Sequence, residues 1–219
     1  FTGEEKTSGN ISYKKVPLTH DNACTLRRLF PFTAPKQVLS NERTAGTGDR
    51  LGIACPGHIR VFEEYDAVPV FAQQSIRELT LTGRSYEEVL DCVTFAVYRE
   101  GFRRGFGADG DHLKKAEELE YALKCGYTMI TLDCSEHIRN DIFDMTEEEA
   151  DQEYQGQIAN RDLESLYIGR EFDIGENVIL SFSPDDFKRT VLIYSKAINF
   201  ACDIYEKYIK TNPVDFEIS

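Results

Sequence analysis

The sequence predicts an α/β chain on one parallel sheet, an incomplete TIM-type (β/α) barrel ending near its fifth strand. Three observations point there. Short apolar runs rich in β-branched residues alternate with helical patterns along most of the 219 residues, and strands separated by helices pair in parallel through right-handed crossovers. Acids, histidines and arginines recur just past the carboxyl ends of those runs, where such folds place ligands. A whole eight-unit barrel takes about 250 residues or more, so this chain has room for four or five βα units and one excursion.

With 41% hydrophobic and 29% charged residues the chain is globular. A net charge of −13 opposes nonspecific nucleic-acid binding, which depends on neutralising phosphates with Lys and Arg. No apolar run approaches the ~20 residues that span a bilayer, and residues 1–12 are too polar for a signal segment. The expected setting is cytoplasmic, with neither nucleic acid nor membrane as partner; a homo-oligomer stays open. The start at Phe1 rather than Met reads as a cut. Six cysteines, at 24, 55, 92, 125, 134 and 202, lack CxxC spacing, which fits reduced thiols and argues against a zinc site built from them.

Residues 1–40 read as an N-terminal arm and a packing segment, with a short helix around Cys24–Phe32; residues 41–219 read as the partial barrel. A strand is expected at Leu51–Ala54, followed by a Pro-Gly turn and a helix. The preceding GTGD lacks the Walker lysine, so it is a weak phosphate loop, but Asp49, Arg50, His58 and Arg60 could hold an anionic substrate. Val68–Gln74 is a second strand. It delivers Gln73 and Arg77, the latter either a bidentate carboxylate clamp or an ordinary surface arginine. Ser85-Tyr86-Glu87-Glu88 is a capping box opening a helix to about Glu100.

The stretch Gly107-Ala108-Asp109-Gly110-Asp111-His112-Leu113-Lys114 is the centre of the chain. Its glycines and clustered polar groups suggest a strand-to-helix active-site loop, with a helix from Leu113 to Cys125 ended by Gly126. Asp111 could equally be only the N-cap of that helix. Tyr127–Leu132 reads as a buried strand delivering Asp133 and His137, although a lone loop histidine is more often neither ligand nor catalyst. Residues 138–183 break the alternation as an acidic insertion with a helix at Thr146–Tyr154 and a hairpin from Leu166 to Phe182, expected over the rim of the sheet. Ser183-Pro184-Asp185-Asp186 starts a helix running to about Lys210. Val214–Ser219 alternates like another strand and aims Glu217 at the same end as the other acids.

GTGDRLGIACPGHIR (46–60), PVFAQQSIREL (69–79), GFRRGFGADGDHLK (101–114), GYTMITLD (126–133) and DFEIS (215–219), taken together in this order, resemble the tagaturonate/fructuronate epimerases of bacterial hexuronate catabolism. The resemblance implies the first part of a longer, metal-dependent TIM-type barrel that inverts C4 of a keto-uronate. It implies Asp111 as proton acceptor, Glu217 as proton donor and His112 as ligand of a divalent metal cation, with further histidine ligands beyond DFEIS. Asp49, Arg50, His58, Gln73, Arg77 and Lys114 are the candidate contacts to a small hexuronate. Two other functions compete: a different metal-dependent barrel aldolase or isomerase acting on sugar acids or sugar phosphates, and a sugar-acid-binding fragment without turnover.

Overall fold

The computed structural model describes residues 1–41 and 43–219. These divide into two compact units, Phe1–Asp133 with Glu206–Ser219, and Cys134–Tyr205. In the first unit, β1 (Glu4–Ser8) and β2 (Ile11–Lys15) form an antiparallel hairpin where a plain arm is expected. Then come α1 (His20–Leu29), β3 (Thr44–Gly46), α2 (Cys55–Glu64), β4 (Val68–Ser75), α3 (Ile76–Thr82), α4 (Tyr86–Glu100), β5 (Gly107–Leu113), α5 (Ala116–Lys124) and β6 (Met129–Leu132). The second unit holds α6 (Glu147–Gln157), α7 (Arg161–Tyr167), β7 (Glu171–Asp173), β8 (Ile179–Ser181) and α8 (Pro184–Ile204). The chain then returns to the first unit with β9 (Asp215–Ile218).

The TIM-type barrel is not formed. Five parallel strands lie in the order β3-β4-β5-β6-β9, an open sheet whose outer members do not meet each other. Closing a (β/α) barrel takes eight strands in a consistent stagger. Here the chain between β6 and β9 builds a unit of its own instead of further βα repeats. Its strands β7 and β8 pair only with each other among the described residues.

Local chemistry explains where the elements fall. Ser75 and Ser85 each accept from the backbone N–H three residues on while Glu78 and Glu88 reach back, two full capping boxes that start α3 and α4. The expected strand at Leu51–Ala54 is a turn, and the strand lies earlier, at Thr44–Gly46. The reason is Asp49, whose carboxylate takes the N–H groups of Gly52, Ile53, Ala54 and Cys55 at 2.8–3.0 Å and leaves none for a ladder.

The expected active-site loop at 107–114 is itself the central strand, and the helix after it starts at Ala116. Its glycines serve close packing: a Cβ on Gly107 would lie 2.8 Å from Val38 Cγ2, and one on Gly110 would lie 3.0 Å from Leu113 Cδ1. Asp111 therefore caps nothing; Lys115 holds the N-cap position.

The core of the first unit lies between the sheet and its helices. Phe71 packs edge-on against Phe62 and Phe102 at 5.5 and 5.4 Å between ring centroids, and Tyr86 against Tyr127 at 4.6 Å. On the other face, Val38, Val70 and Met129 make an apolar floor at the amino ends of the strands. Asp215 of β9 secures it by accepting from Val38 N at 2.6 Å and Leu39 N at 3.0 Å. The second unit has its own core of Ile142, Ala150, Tyr154, Phe187, Leu192 and Ile193. No helix among the described residues is long and apolar enough to cross a membrane.

Candidate active site

Above the apolar floor, one face of the sheet turns polar. Gln73 of β4 is in register with Asp109 of β5, and Thr131 of β6 is in register with Glu217 of β9. Gln73 Nε2 lies 3.5 Å from Asp109 Oδ2, and the Thr131 hydroxyl lies 3.1 and 3.0 Å from Asp109 Oδ1 and Oδ2. These residues form a row across four strands. Side chains two apart on a strand share a face, so Asp111 stands one step further toward the carboxyl end, in register with Ser75.

Asp109 is fully buried, and Asp111 is half-buried. Burial pushes the Asp109 carboxyl up to about 7, and the nearby charges of Asp111 and Glu217 add to the rise, while the bonds from Thr131 and Gln73 oppose it. Asp111 is also raised, first by burial; the His112 and Arg50 charges lower it, and those of Glu78 and Glu217 raise it. Three carboxyl groups within electrostatic reach cannot all ionise freely. Such crowding prepares acids and bases whose protons move near neutral pH.

His112 sits at a break in the strand register between Gly110 and Leu113 and takes a left-handed backbone conformation, φ 52°. For a residue with a Cβ that conformation stores roughly 1–3 kcal/mol of strain, which characteristically gathers at working sites. The distortion presents an exposed imidazole with Nε2 4.0 Å from Asp111 Oδ1 and Nδ1 3.9 Å from Asp133 Oδ2. Lys114 Nζ is 3.7 Å from Asp133 Oδ2. Imidazole and carboxylate suit a divalent cation. Among the described residues, however, no three such donors converge closely enough to hold one. A metal would need donors besides these.

The structure thus gathers Gln73, Asp111, His112, Lys114 and Glu217 at the carboxyl end of the sheet. Arg50 is within electrostatic reach of Asp111 and is engaged with Glu78 at 2.7 Å. Asp49 is spent on four backbone N–H groups. Burial works against its charge, but those donors hold its pKa below the ordinary value, as expected of a loop clamp. His58 lies on α2 with a buried Nδ1 that has no hydrogen-bond partner among the described residues. Arg77 is exposed in the first turn of α3, and no hydrogen bond or ion pair among the described residues ties it to the acids. His137 belongs to the second unit, where it stacks on Phe200 at 4.1 Å between centroids. The central motif contains Asp109 without assigning it a role, and no motif singles out Thr131. Their signal is the period of two linking Asp109 to Asp111 and Thr131 to Asp133.

The profile of the tagaturonate epimerase family matches residues 1–219. The tagaturonate/fructuronate epimerase of Thermotoga maritima is 35% identical over 221 residues, covering 100% of this chain and 45% of its own length. Crystal structures of the fructuronate-tagaturonate epimerase of Cohnella laeviribosi, native and glycerol-complexed, superpose with TM-score 0.89 at 43% identity. The match covers 99% of this chain and 44% of that one. The chain therefore spans less than half the length of the relatives it matches.

Proposed function

Since the chain belongs to the tagaturonate epimerase family, we propose that it supplies the acid–base half of a site interconverting D-tagaturonate and D-fructuronate. The observation that supports this most directly is that Asp111 stands near enough to Glu217 for that residue's charge to raise its pKa, in a chain matched along its whole length. In this reading the setting is cytoplasmic and the partner is a small hexuronate. His112 provides one donor to a divalent cation whose remaining donors lie outside the described residues. Such a cation, when bound, supplies Lewis acidity at the substrate's oxygens.

The two keto-uronates differ at C4, whereas the ketone is at C2. The C4 hydrogen is thus not acidified by the carbonyl, and deprotonation beside the ketone would invert the wrong carbon. A β-hydroxy ketone has another route. Asp111 takes the proton of the C4 hydroxyl, the C3–C4 bond opens, and its electron pair passes into the C2 carbonyl system while C4 becomes an aldehyde. Turning of that aldehyde and re-addition at its other face inverts C4, and Glu217 handles the opposite proton. Burial raises the Asp111 carboxyl above the ordinary carboxylate range, which makes its carboxylate a stronger base than an exposed one. Lys114 and Gln73 are placed to orient the anionic, hydroxyl-rich substrate.

The test uses full-length protein and substrate deuterated at C4. Retention of deuterium through epimerisation is expected, because C4–H is never broken. Washout into solvent would replace this mechanism with direct abstraction at C4. Hexuronate binding with no turnover would reduce the function to binding alone.

A further inference from the structure

Helices α1 and α4 carry a second polar constellation that the epimerase chemistry does not use. His20 and Cys24 stand one turn apart on α1, with Cys24 Sγ 3.4 Å from His20 Nε2. The other ring nitrogen, Nδ1, lies 2.9 Å from Asp91 Oδ2 on α4. Asp91 Oδ1 accepts from Arg27 Nη1 at 2.9 Å, and Arg27 Nη2 donates to Cys24 Sγ at 3.2 Å, closing a ring of four side chains.

In the neutral imidazole the contacts select one tautomer: Nδ1 carries the hydrogen and donates to Asp91 Oδ2, and Nε2 is the acceptor that faces the thiol. That is the order of nucleophile, base and orienting acid that activates a cysteine. Arg27 is itself fixed by Thr94 Oγ1 at 2.9 Å and sets a positive charge against the sulfur. Arg27, Asp91 and Thr94 suffice to tie α1 to α4. Cys24, which is exposed, and His20, half open to solvent, add nothing needed for that tie. An open cleft of about 1330 Å³, lined by Leu18, His20, Ile53, Asp91 and Phe95 among others, borders the His20–Asp91 side of the ring.

We infer that Cys24 is a modification site, a thiol activated by His20 to form mixed disulfides with low-molecular-weight disulfides. His20 Nε2 takes the thiol proton as the sulfur attacks one sulfur of the small disulfide. The Cys24–S–S–R bond forms, the S–S bond of the reagent breaks, and the departing thiolate receives the proton from His20. One thiol and one disulfide enter and leave, so no further oxidant is needed.

The test is a time course of full-length protein in glutathione disulfide at pH 7, read by peptide mass spectrometry. Cys202, a second exposed cysteine, serves as internal reference. Cys24 is expected to react at least about tenfold faster than Cys202. His20→Asn, a change at a half-exposed position with folding checked by circular dichroism, should bring the two rates within about twofold of each other. Equal rates in the unaltered protein would overturn the inference, as would a fast Cys24 that ignores the loss of His20.

Discussion

The Thr131 hydroxyl on β6 spans the two carboxyl oxygens of Asp109 on β5, at 3.0 and 3.1 Å. This neutral partner satisfies the buried acid without neutralising it, so Asp109 is left to the influence of burial and of the two carboxylates beyond it. Its placement governs the first prediction.

An acid whose pKa is raised in the folded state, here from 3.8 to about 7, binds more protons folded than unfolded between those values. Stability therefore falls as pH rises from about 4 to about 7 and levels off above. Asp109→Asn keeps the shape and removes the charge. Chemical denaturation at pH 5 and pH 8 should show the variant gaining relative to the unaltered protein at the higher pH, on the order of a few kcal/mol. An unchanged difference between the two pH values would mean that Asp109 ionises like an exposed acid.

Asp111 and His112 should separate in the full-length enzyme. Asp111→Asn is expected to leave metal content intact while turnover drops about 10²–10⁴-fold, the usual scale of general acid–base catalysis. His112→Ala should lower metal content and turnover together. Metal analysis beside steady-state rates makes the distinction, and loss of metal in Asp111→Asn would recast Asp111 as a ligand.

The left-handed backbone at His112 gives a stability test independent of turnover. Glycine adopts that conformation without strain, so His112→Gly should be more stable than His112→Ala by about 1 kcal/mol. Thermal melts of the two variants decide it. Equal stability would show that the strand relaxes once the imidazole is gone.

Asp49→Ala should cost about 2–3 kcal/mol, because it strips a charged acceptor from four N–H groups at the start of α2. Substrate KM should change little if Asp49 acts on the loop alone. A large rise in KM at normal stability would return it to the substrate.

Much of the first unit can be read from residue types alone. The capping boxes at Ser75 and Ser85 are visible as serine three residues before glutamate, and VPVFAQQ and YTMITL are apolar enough to be strands in any context. GADGDHL is different. Gly and Asp are poor strand formers and good loop formers, and only the tight approach of Val38, Leu113 and Ala122 to the glycine positions makes this stretch the middle of a sheet. That contact is tertiary and leaves no trace in a local window. The same cause leaves the role of Asp109 open: its period-of-two spacing to Asp111 becomes a shared face only once 107–113 is known to be a strand. The barrel expectation fails for another reason: alternation reveals that strands are parallel, not how many there are or whether the sheet closes.

The return of β9 to the edge of β6, with Asp215 fastened on Val38 and Leu39, also bears on how the chain is made. A ribosome releases β6, then all of Cys134–Tyr205, and only afterwards the strand that covers it. At about 5–20 residues per second, that interval lasts on the order of 4–16 s. Throughout it the nascent sheet has a bare rim of N–H and C=O groups and a floor segment not yet fastened, the kind of surface on which neighbouring nascent chains pair wrongly. Yield in the cell should then depend on the speed with which the intervening unit is translated and folded, and slow codons placed within 134–205 would prolong the vulnerable stage.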